Sequence, residues 1–109
     1  MPRLILALFA LCATCSARAQ TMTGLVDITM VRTGWNTDSF GIVTAQPIIN
    51  PAGCQTPDGY VSTITRPGYQ TFLSAALTAF ALDTPVVVTI HNSECLSGRP
   101  VVIGINVTR

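Results

Sequence analysis

Hydrophobic and polar positions alternate with a period of two in several short runs, and that alternation marks half-buried strands. Val26, Ile28 and Met30 alternate with Asp27, Thr29 and Val31, which predicts a strand over Gly24–Arg32. Thr33-Gly34-Trp35-Asn36-Thr37-Asp38 interrupts the run with turn residues, and Ser39–Thr44 resumes it with Phe40 and Ile42 on one face. These two runs read as a hairpin with a moderately long tip. Residues 46–59 are punctuated by Pro47, Asn50-Pro51, Gly53 and Pro57-Asp58-Gly59 and predict an irregular stretch. Tyr60–Thr65 is rich in β-branched residues and predicts a third strand.

The period changes once. Tyr69, Leu73, Ala76, Leu77 and Phe80 recur at helical spacing, which predicts a helix over Tyr69–Leu82 with one apolar face, widened by Phe72, Ala75 and Ala79, entered after Pro67 and stopped at Pro85. Alternation then returns in Val86–His91 and Val101–Val107, joined by an Asn92–Pro100 connection that carries Cys95 and Ser97-Gly98. The order is strand-strand-strand-helix-strand-strand, with no repeat, low-complexity tract or second-domain linker. Five short strands with one helix between the third and fourth predict a mainly β (α+β) domain, an OB-fold-like five-stranded barrel plugged by the helix.

The first nineteen residues lie outside that pattern. Met1-Pro2-Arg3 is positively charged, Leu4–Cys15 is apolar and too short to anchor in a bilayer, and Ala17-Arg18-Ala19 is the small-x-small pattern of a peptidase site. Residues 1–19 are expected to be a signal peptide cut before Gln20, leaving residues 20–109 as one secreted or periplasmic domain without a membrane anchor. Cys12 and Cys15 leave with the leader. Cys54 and Cys95 remain, and an even pair in an exported chain predicts one disulfide.

Charge then removes whole classes of partner. The chain has no lysine, and without Arg3 and Arg18 it carries Arg32, Arg66, Arg99 and Arg109 against Asp27, Asp38, Asp58, Asp83 and Glu94. Such a balance lacks the dense positive footprint of a nucleic-acid binder or of a polybasic membrane patch. A nearly uncharged surface is also prone to self-association, which points to a homo-oligomer. His91 is the only histidine, too few ligands for a zinc centre, so no metal or other cofactor is expected.

Two stretches carry candidate chemistry. Trp35 sits with Asn36, Asp38 and Ser39 in the hairpin tip, an aromatic ring beside amide, carboxylate and hydroxyl groups. Sugars are gripped by that combination, the ring stacking on C–H faces while polar groups meet hydroxyls. Trp35 equally suits covering the end of the barrel. His91 with Asn92, Ser93 and Glu94 is the only grouping that offers a general base, the minimum for a small hydrolase, and a lone histidine beside a turn equally suits a structural role. Asn106-Val107-Thr108 fits the N-glycosylation sequon, which has meaning only in a eukaryotic secretory pathway.

From Cys54 onward the order of features resembles a known family. Tyr60 opens a strand, Arg66-Pro67-Gly68-Tyr69 leads into the helical Leu73-Ser74-Ala75-Ala76-Leu77-Thr78-Ala79, and Thr84-Pro85-Val86-Val87-Val88 precedes Cys95. Over residues 24–107 this pattern is similar to the pentameric B subunits of bacterial toxins, those of subtilase cytotoxin and typhoid toxin especially, and to related small secreted bacterial proteins. The resemblance implies an OB-like barrel that assembles into a ring, binds host glycans without catalysis and serves a separate catalytic A-type subunit. It carries no binding residue onto this chain, because Gln20-Thr21-Met22-Thr23 has no serine where the toxin subunits use one near the mature N-terminus.

Overall fold

A computed structural model describes residues 19–34 and 38–109. Residues 1–18, most of the expected signal peptide, and Trp35, Asn36 and Thr37 lie outside the described residues. The elements are β1 (Gln20–Val26), β2 (Ile28–Thr33), β3 (Ser39–Thr44), β4 (Tyr60–Thr63), α1 (Tyr69–Ala81), β5 (Val86–Leu96) and β6 (Arg99–Val107). They form one six-stranded sheet in the order β1-β5-β6-β4-β3-β2, antiparallel except where β4 meets β6.

The mainly β class holds, but the five-stranded barrel is corrected to a six-stranded sheet that is not closed by a ladder between β1 and β2. Asp27 is the cause. The run expected as one strand over Gly24–Arg32 is divided there, because the Asp27 N–H donates to Gln46 Oε1 and the Asp27 carbonyl accepts from Ala45 N–H. Residues before Asp27 pair with β5, and residues after it pair with β3. Each half is also locally irregular. In β1 the register shifts between Met22 and Leu25, where the Thr23 hydroxyl accepts Val88 N–H and donates to the Gly24 carbonyl in place of a backbone ladder.

The last two strands run longer than expected. Ser97 and Gly98 both have positive φ (51° and 77°), a two-residue turn whose twist matches the flanking strands, so pairing continues to Leu96↔Arg99. The expected irregular connection survives only as a register break between Ile90 and Cys95.

The core contains Val26, Ile28, Phe40, Ile42, Tyr60, Val86, Val88, Ile90 and Val102 from the sheet, with Tyr69, Ala76 and Ala79 from the helix. This corrects the expected helix face. Leu77 and Phe80 are each 47% exposed, and Phe72 and Leu73 flank the core instead. Two alanines on the inner line bring α1 close to β2 and β6, and one position of rotation (about 100°) carries Leu77 off that line. Gly68 opens the helix in the left-handed region (φ 86°), where a Cβ would stand 2.6 Å from the Phe72 ring, so any side chain here is strained and must displace that ring.

Cys54 and Cys95 form the expected disulfide, with Cα atoms 5.8 Å apart across 41 positions of sequence. It fastens the irregular stretch between β3 and β4 to the far end of β5. The stretch is held independently by the Asn50 side chain, which bonds both the N–H (2.8 Å) and the carbonyl (2.9 Å) of Cys54, and by Thr56 N–H on the Gly98 carbonyl (2.8 Å).

Candidate functional site

Arg32, Gly41 and Val61 stand in register across β2, β3 and β4, on the opposite face of the strands from buried Phe40 and Ile42. Gly41 leaves the middle of that row without a side chain, and Arg32 fills part of the space. A Cβ on Gly41 would lie 3.6 Å from Arg32 Nε, and a Cβ on Gly59 would lie 2.6 Å from Arg32 Nη2. Two small residues therefore lay the arginine side chain along the sheet toward Asp58.

Asp58 receives two arginines. Arg99 meets it with two bonds, Nε to Oδ1 at 2.6 Å and Nη2 to Oδ2 at 3.1 Å, while Arg32 Nη2 adds a bond to Oδ1 at 3.1 Å. These bonds, those of Arg99 first, hold the Asp58 carboxyl down at about 2. The same contact raises the pKa of Arg99. The node ties the irregular stretch to β2 and β6 and sets one end of a cleft.

That cleft is narrow, with a cavity volume of about 40 Å³ and an open mouth, and its lining includes Arg32, Thr33, Gly34, Ser39, Gly41, Val61, Thr63, Leu96 and Ser97. Its lining is more apolar than polar, with wall from Leu96 and Val61 and hydroxyls from Thr33, Ser39, Thr63 and Ser97. A second cleft, of about 470 Å³ including open solvent, is lined by Thr63, Thr65, Arg66, Pro67, Glu94 and Leu96. Thr63 and Leu96 line both, so the two clefts adjoin in a shallow groove, with Arg32 in the lining of the first and Arg66 in that of the second.

The sequence candidates fall differently around this groove. Ser39 is in it, its hydroxyl donating to the Gly34 carbonyl while Gly34 N–H donates to the Ser39 carbonyl (3.1 Å). Asp38 is exposed and its carbonyl accepts Ile64 N–H at 2.9 Å. Trp35 and Asn36 are outside the described residues; of the described residues that bracket them, Gly34 lines the cleft and Asp38 does not.

His91, Ser93 and Glu94 do come together, in the register break of β5. His91 Nδ1 accepts the backbone N–H groups of Ser93 and Glu94, each at 3.1 Å. An accepting nitrogen carries no proton, so the neutral ring holds its proton on Nε2, which lies 3.5 Å from Glu94 Oε1. Glu94 is also paired with Arg66. The Ser93 hydroxyl is 3.3 Å from the same Nδ1, whose lone pair the backbone already uses. The imidazole thus braces a bulge. Asp58 and Glu94, a conceivable acid–base pair by composition, are held in separate ion-pair nodes.

The sequence reading missed Arg32, Thr63, Leu96 and Ser97 as a set, and it passed over one signal. Gly41, isolated inside a strand, marks a close approach or an open space on the sheet. Among the described residues no group of three or more metal-ligating side chains occurs. No helix among them is long and apolar enough to cross a membrane.

No protein-family model matches the chain. No curated protein matches it either.

Proposed function

We propose that this chain is an exported, non-catalytic binding module that takes a polyhydroxylated ligand, a glycan, in the groove between the β2–β3 tip and the β5–β6 turn. One observation supports the reading: Gly34 and Ser39, the residues on either side of the Trp35–Asp38 segment in sequence, both line the cleft. Ser39, Thr33, Thr63 and Ser97 offer hydroxyls there, and an aromatic residue such as Trp35, adjacent in sequence, is the type that stacks on sugar C–H groups. An OB-like fold belongs to the same reading. β1 and β2 stand at opposite ends of the ladder order yet are joined through Asp27 alone, and β4 runs parallel to β6. That connection leads the sheet round toward itself.

A glycan array probed with the mature chain tests the proposal, alongside Trp35→Ala and Thr63→Tyr, which removes the ring or fills the cleft. The wild type is expected to bind a defined set of glycans, and both variants to lose at least about tenfold in affinity while melting as the wild type does. No glycan bound by the wild type, or unchanged binding by both variants, overturns it.

A second reading, an interaction module of the periplasm that assembles with itself, draws on a different surface. Leu77, Phe80 and Leu82 are 47%, 47% and 68% exposed on and just after a helix that bears no charged residue. A homo-oligomer, a pentameric ring in the toxin-like version with an A-type subunit as further partner, would cover them. Light scattering is expected to show an assembly that Phe80→Glu dissolves, and a wild-type monomer at high concentration contradicts this.

A further inference from the structure

We propose that Gln20 is a modification site, closing to pyroglutamate once it becomes the first residue of the mature chain. The inference rests on cleavage after the Ala17-Arg18-Ala19 pattern, and the structure adds three observations. Ala19 and Gln20 are both exposed. Among the described residues no hydrogen bond holds the Gln20 carboxamide, whereas the next side chain, Thr21, is tied to Asn92. Strand β1 begins at Gln20, opposite His91, so the cut falls at its start and gives up only the bond from Asn92 N–H to the Ala19 carbonyl (3.1 Å).

The chemistry needs no co-reactant. The α-amine nitrogen attacks Cδ of its own carboxamide, the N–Cδ bond forms and the Cδ–Nε2 bond breaks. Nε2 leaves as ammonia, taking a proton from the amine, and nothing is oxidised or reduced. Amine and amide sit within one residue, so the five-membered ring closes with the high effective concentration of an intramolecular step. An α-amine ordinarily titrates at about 7.7–8.0, so a fraction is unprotonated at neutral pH. No residue precedes the ring after cleavage, and β1 can accept the fixed backbone angle at its first position. The product replaces a cationic terminus with a neutral lactam and closes β1 to aminopeptidases that require a free amine.

The full chain is to be exported from a Gram-negative host as wild type and as Gln20→Ala, and the periplasmic products examined by intact mass and Edman degradation. The wild type is expected to be lighter by one ammonia than oxidised Gln20–Arg109. It should be unreadable by Edman until treated with a pyroglutamyl peptidase, while the Gln20→Ala product reads from its first residue. A product that starts at Gln20 with a readable free amine overturns the proposal and leaves the cleavage reading standing. A product that starts elsewhere, or keeps its leader, overturns both.

Discussion

Replacing both cysteines, Cys54→Ala with Cys95→Ala, removes the one covalent cross-link among the described residues without leaving a lone thiol. The closed loop spans 41 positions. The chain-entropy relation for such a loop gives about 13 cal/mol/K, or about 4 kcal/mol at room temperature, from freedom returned to the unfolded chain. The folded side should change little. Cys54 keeps its two backbone bonds to Asn50, Thr56 stays on Gly98, and Asp58 stays between Arg32 and Arg99. The variant should therefore keep a native far-UV spectrum. Its urea midpoint should fall by the equivalent of about 4 kcal/mol, and for a domain of this size its Tm by roughly 15–30 °C. A loss under about 1 kcal/mol would refute the reasoning, because the unfolded chain would then gain nothing from release of the link.

Four further outcomes follow from the geometry. Gly59→Ala should cost about 1–3 kcal/mol by urea denaturation, since its Cβ would fall 2.7 Å from the Ile42 carbonyl oxygen and 2.6 Å from Arg32 Nη2. An NMR titration of the same variant should show the Asp58 carboxyl moving up from about 2 as Arg32 is displaced. The folded pKa of Asp58 is below its ordinary 3.8, so its contribution is whole above 3.8 and lost as pH falls toward about 2. Wild type should exceed Asp58→Asn in stability at neutral pH and converge with it at the acid end, the gap staying within about 1 kcal/mol because the side chain is 46% exposed. Ser62 is fully buried, and among the described residues its hydroxyl has no hydrogen-bond partner, so Ser62→Ala should leave Tm unchanged or raise it by the equivalent of up to about 1 kcal/mol.

The strands and helix were legible because their periods differ. Phe40 and Ile42, Val86, Val88 and Ile90 all point inward as alternation requires. The disulfide was legible from counting cysteines outside the leader. The division at Asp27 was not, because a polar residue on the outward beat of a strand looks the same whether the ladder continues or changes partner. What decides it is Gln46, distant in sequence, whose side chain takes the Asp27 N–H. The helix face was legible in part: Tyr69, Ala76 and Ala79 face the core, but Leu77 and Phe80, chosen for their hydrophobicity, are exposed, because close packing on the sheet favours the small alanines. Of the groove, Ser39 alone among the expected residues was in view. The rest, Arg32 with Thr63, Leu96 and Ser97, comes from strands that become neighbours only through the sheet order, which no local pattern encodes.

The groove is tested most directly by titrating the isotope-labelled mature chain with the strongest glycan from the array and following backbone amide shifts. The account predicts saturable changes at Gly34, Ser39, Gly41, Thr63 and Ser97, with the helix residues Leu77 to Leu82 unmoved. Shifts confined to the helix or to β1, or none at millimolar ligand, would contradict it.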